Sequence, residues 1–136
     1  MNILDLLPFA FAVQVAAAGL AGHWTNRSQS VVVVITDCGG GGMCGEVAWA
    51  TEKAKADARH GGTSQLVGTE LMRGFVAMGP ERWKGRLFVP DLNRSARAEI
   101  SLLDENRLRI RGCAVGRLLC RSQTWSRVQA LPPAPQ

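Results

Sequence analysis

Short runs in which apolar and polar residues alternate, each closed by turn residues, fill most of the chain. Residues 31–35 form an unbroken β-branched run, the pattern of a strand buried on both faces or nearly so. Residues 45–50 restart an apolar run after Gly39-Gly40-Gly41-Gly42 and read as the return strand of a hairpin. Residues 70–78 end at Gly79-Pro80. In 82–89, Trp83, Gly85, Leu87 and Val89 fall on one face, and Arg82, Lys84 and Arg86 on the other. Residues 96–103 lead into a turn at Asp104-Glu105-Asn106. In 107–112, Leu108 and Ile110 alternate with Arg107, Arg109 and Arg111. Residues 122–128 form the last strand. With one beginning at Trp24 the total is about eight, which predicts an all-β antiparallel sandwich or barrel. Eight strands can close around side chains or one small ligand. Residues 51–65 break the pattern: polar, charged and Ala-rich, they read as a long loop with a helical turn or two.

Residues 1–21 are different again. From Leu6 to Ala21 the only polar side chain is Gln14, and small residues follow the apolar stretch. That is the length and ending of a secretory signal, too short to span a membrane comfortably. The n-region lacks the usual basic residue and carries Asp5. The expected organisation is a signal peptide at 1–21, one β-barrel domain at 22–129 and a Pro-rich tail at 130–136. The expected location is the periplasm.

The cysteines agree with export. Cys38 and Cys44 bracket the glycine run, and Cys113 and Cys120 bracket a second Gly-containing turn. Both pairs sit where hairpin strands approach closely enough for a sulfur bridge. Each short loop closed by a bridge contributes roughly 2–3 kcal/mol. Four cysteines allow three connectivities, and free structural thiols are an alternative. The gaps do not fit the ligand spacing of a structural zinc site.

Charge and chemistry narrow the function. The net charge is +5, which permits contact with lipid headgroups, lipopolysaccharide or nucleic acid. The basic residues read as dispersed and Tyr is absent, so nucleic acid is not an expected partner. The stripe of Arg107, Arg109 and Arg111 reads as a solvated face, with an anion-recognising patch as the sharper alternative. His23 and His60 lie far apart without a carboxylate or Cys at ligand spacing, so neither a metal nor a cofactor is expected. No nucleophile elbow, catalytic carboxylate pair or phosphate loop is visible, and no enzymatic activity is expected. Candidates for a ligand site are Trp24, Trp49, Trp83, Gln123, Trp125 and Arg127. Large aromatics fill cores more often than they line cavities, and an inward Arg would need a partner, with Glu46, Glu70 and Glu99 available.

Gly22-His23-Trp24 ahead of a late Arg, either Arg121 or Arg127, resembles the lipocalin and calycin signature. In that group the Trp closes one end of the barrel and the Arg packs across it. A closer resemblance covers most of the chain beyond residue 21. GHW at 22–24, Cys-Gly at 38–39 and 44–45, EVAW at 46–49, LVG at 66–68, WKGRLFVP at 83–90, RIRGC at 109–113 and LLCRSQTWSRV at 118–128 are similar to the bacterial domain of unknown function 2147. This implies a small envelope protein with an up-and-down, lipocalin-like barrel and no established activity. The expected function is a periplasmic barrel that binds a small apolar or amphipathic ligand. The alternative is a structural or interaction protein with a filled barrel, acting through its surface in the envelope.

Overall fold

A computed structural model describes residues 19–114 and 119–133. Residues 1–18 of the expected signal segment, the turn at 115–118 and residues 134–136 of the expected tail lie outside the described residues, whereas residues 19–21 are described. Eight strands run β1 (Gly22–Thr25), β2 (Val31–Gly39), β3 (Gly42–Ala50), β4 (Glu70–Gly79), β5 (Arg82–Val89), β6 (Arg94–Asp104), β7 (Arg107–Ala114) and β8 (Leu119–Val128). Each pairs antiparallel with its neighbour in sequence, and β8 pairs with β1 to close an up-and-down barrel. Closure leaves no open sheet except where pairing stops short.

Inward positions hold the apolar residues that the alternation predicted. Trp24, Val33, Phe75, Ile100 and Leu108 are at most 1% exposed and belong to one continuous core. Trp83 and Trp125 join it from β5 and β8. Gly85 leaves room for Phe75, since a Cβ there would sit 2.8 Å from the ring.

One end of the barrel gathers the tight turns after β2, β4 and β6, with the segments before β1 and after β8. The turn after β2 is built from Gly39, Gly40 and Gly41, all at positive φ, which side-chain-bearing residues rarely adopt. Cys38 and Cys44 are bonded across it, with Cα atoms 5.7 Å apart. Cys113 and Cys120 are bonded between directly opposed positions of β7 and β8, 4.0 Å apart at Cα. Of the three possible connectivities, the chain uses the sequential one.

The other end receives the 51–69 connection, where the structure is more regular than the expected loop. A helix, α1, spans Glu52–Gly61 for three turns. Thr51 caps its start by accepting a hydrogen bond from the Ala54 N–H at 3.1 Å, and Gly62, at φ 110°, ends it. Glu52 lies in the first turn and Arg59 and His60 in the last, as the helix dipole favours. Asp57 sits one turn from Lys53 and holds its ammonium above the usual pKa. Ala58, Leu66 and Val67 carry this segment into the core. The helix end presses on the β5–β6 turn: a Cβ on Gly61 would collide with the Asp91 carbonyl group. The Thr63 hydroxyl donates to the Pro90 carbonyl at 2.9 Å. α1 is thus a lid fixed to one side of this end.

Candidate functional site

Trp24 and Arg127 lie together at the end with the tight turns. The Trp24 indole is fully buried and donates to the Leu20 carbonyl at 3.0 Å. The Arg127 guanidinium stacks on its ring, 4.3 Å from the centroid. The same group donates to three backbone carbonyls: Gly19 at 2.6 Å, Ala21 at 2.8 Å and Glu105 at 2.7 Å. Arg127 therefore takes backbone carbonyls as partners, and not Glu46, Glu70 or Glu99. Its approach requires Gly22, since a Cβ there would stand 2.6 Å from Nη1. This plug seals the end. Beside it, the Asn106 N–H and then Arg107 hold the Asp104 carboxyl below the ordinary carboxylate pKa.

The remaining candidates separate. Trp83 is packed in the core, paired with Ile100 across β5–β6. Trp49 is outside the core, and its indole donates to the Pro133 carbonyl at 3.0 Å, tying down the tail. Of these, only Gln123 lines an opening, with the buried Trp125 beside it. The Trp125 indole donates to the Gln123 side-chain oxygen at 3.0 Å, so the amide caps the ring.

That opening follows from the shortness of β1. β1 and β8 pair only at His23–Val128, Trp24–Arg127 and Thr25–Ser126. The chain then turns away at Asn26, while β8 runs on for another seven residues. Above Ser126, β8 therefore has an edge facing the β1–β2 loop. Two adjoining depressions of about 290 and 420 Å³ lie there. Arg27 and Gln123 line both, with Ser122 and Thr124 on one side and Asn26 and Ser28 on the other.

The loop is built to hold its shape. The Asn26 side-chain oxygen accepts from the Ser30 and Val31 N–H groups at 2.9 and 3.1 Å. Its amide nitrogen donates to the Ser28 and Ser30 hydroxyls. Gln29 adopts φ 58°, which completes the turn. Arg27 is exposed on this fixed loop and forms no ion pair among the described residues. The mouth thus offers one uncommitted guanidinium, one amide, hydroxyls and a strand edge, above the rim of an apolar core. Arg27 drew no attention in the sequence, because its place opposite Gln123 depends on where β1 stops.

The family model described as "Uncharacterized protein conserved in bacteria (DUF2147)" matches residues 22–127. The chain belongs to this family. The match begins at the Gly-His-Trp plug and ends at the Arg127 that covers it. No curated protein matches the chain. Among solved structures it is similar to protein HP1028 from Helicobacter pylori, which belongs to the lipocalin family. The TM-score is 0.62 at 11% identity, over 81% of this chain and 83% of that one. At that identity the likeness shows the fold: a lipocalin-like barrel, as the DUF2147 motifs implied.

Proposed function

We propose that this DUF2147 protein is a non-enzymatic carrier that binds one small amphipathic ligand at the barrel mouth, acidic end outermost. The observation that carries this is Arg27, held on a fixed loop opposite Gln123 and unpaired with any carboxylate among the described residues. A carboxylate or phosphate ester would accept from the guanidinium in a charge-assisted hydrogen bond. Its apolar part would lie along β8 toward Trp125. The barrel fold of lipocalin type supports binding as a class of function, by analogy. The two disulfides and the bacterial family support export to an oxidising compartment; a mature protein that still begins at Met1 would contradict it.

The test is titration with dodecanoate and with dodecanol, followed by tryptophan fluorescence. Dodecanoate is expected to bind more tightly than dodecanol. Arg27→Gln should weaken dodecanoate by roughly tenfold and leave dodecanol unchanged, the scale of one hydrogen bond to a charged group. Unchanged affinity of the variant for dodecanoate would sink the assignment of Arg27.

A second reading has its own support. The interior is packed by Trp24, Val33, Phe75, Ile100 and Leu108. A barrel filled in this way can act through its outer face without a ligand. Failure of both probes to bind, with no co-purifying mass in native mass spectrometry, would favour it.

A further inference from the structure

The cations that look dispersed along the chain are gathered by the barrel onto one wall. β1, β2 and β3 contain no Lys or Arg and carry Asp37 and Glu46 instead. β4 to β7 carry nine Lys or Arg, all exposed, beside Glu70, Glu99 and Asp104. Arg73 of β4 lies directly opposite Arg86 of β5, and Arg86 directly opposite Arg97 of β6. Neighbouring strands are about 4.8 Å apart, so three guanidinium-bearing positions occupy a row about 10 Å long. One step along the strands, Lys84, Glu99 and Arg111 form a parallel row. Glu99 is already paired with Arg82 at 3.2 Å. All of these side chains are exposed.

Like charges directly opposite one another on a sheet are destabilising. Here two such pairs stand in succession, and only Arg73 has local relief, from Glu70 at 3.7 Å and the Phe88 ring at 4.9 Å. Lys84, Arg86, Arg97, Arg109 and Arg111 have no ion pair among the described residues. An array of uncompensated cations on an otherwise satisfied wall fits an external partner that brings the anions.

We infer that the β4–β7 wall docks on an anionic phospholipid bilayer surface, with phosphate groups between the opposed arginines. Three features favour a lipid surface over a nucleic acid. The wall has no exposed aromatic to stack a base, since Trp83 points into the core and Phe88 lies under Arg73. It is the convex outside of a barrel, with no groove to track a strand. It also carries exposed apolar residues, Val76 directly opposite Lys84 and Met78 further along β4. Apolar residues beside cations suit the headgroup region. This inference concerns the outer wall and does not depend on a ligand at the mouth.

The experiment is co-sedimentation of the full chain with vesicles of phosphatidylcholine alone and of an equal mixture with phosphatidylglycerol. Neutral vesicles report any lipid contact made by the apolar residues 1–21, which does not need anionic lipid. The chain is expected to partition onto the anionic vesicles and to be released by salt. The double variant Arg97→Gln, Arg111→Gln should lose at least tenfold in partitioning, since each surface cation contributes severalfold. The variant Lys53→Gln, Arg59→Gln removes the same charge from α1 and should lose little. Equal losses in the two variants would mean net charge alone, and would overturn the inference. Equal partitioning onto neutral vesicles would overturn it too. So would preference of the wild type for a DNA duplex over the anionic vesicles, lost in the wall variant.

Discussion

Arg127 does at one position what several residues would otherwise share. Its guanidinium covers the buried Trp24 ring and holds both the chain entering β1 and the β6–β7 turn through their carbonyls. Hydrogen bonds from a charged donor contribute more than neutral ones, and three converge here. Arg127→Ala should therefore destabilise the barrel by about 2–4 kcal/mol. Arg127→Lys keeps the charge but loses the planar fork, and should recover less than half of that. Thermal unfolding of the two variants beside wild type measures both. Equal loss in Ala and Lys would mean that the fork, not the charge, does all of the work. At this scale the sequence was readable for Trp24 and ambiguous for its partner. Arg121 and Arg127 share a face of β8, and only the β1–β8 register places Arg127 opposite Trp24.

Among the elements, the strands were legible because their burial has period two and their turns carry Gly, Pro, Asp and Asn. The helix was not read at its true length, although its ends are written in the chain: Thr51 before Glu52, and Gly61-Gly62 after Arg59-His60. Its middle is polar and only Ala58 is fully buried, so no apolar stripe announces it. What fixes α1 is its docked end, where Gly61 lies against Asp91 without room for a methyl group. Gly61→Ala should push the lid from the β5–β6 turn, while the helix itself gains from the better helix former. The expected result is a net loss of about 1–3 kcal/mol with faster amide hydrogen exchange in both α1 and residues 91–93. Faster exchange in α1 alone would show that the lid is not held by that turn. The mouth was less legible still. Gln123 and Trp125 were visible as one face of a strand, but Arg27 joins them only because β1 ends at Thr25.

For the whole molecule, the decisive property is an asymmetry of charge around the barrel. No Lys or Arg occurs between Arg27 and Lys53, a span that covers β2 and β3, so one part of the asymmetry can be read from the chain. The opposition of Arg73, Arg86 and Arg97 cannot, because it requires the pairing of three strands. That opposition has a measurable consequence in the protein alone. Removing the outer member of the row should relieve repulsion with Arg86 and stabilise the fold, whereas a structural arginine would destabilise it when removed. For directly opposed like charges the gain is about 0.2–1 kcal/mol. In a domain of this size Arg97→Gln should then raise Tm by roughly 1–5 °C at low ionic strength. Near 1 M salt the screening length falls to about 3 Å, shorter than the separation of the strands, and the gain should vanish. A variant that is more stable and yet leaves the anionic bilayer would show that the row is kept for binding at a cost to the fold. A lower Tm at both salt concentrations would instead make Arg97 a structural residue and remove the repulsion argument for the wall.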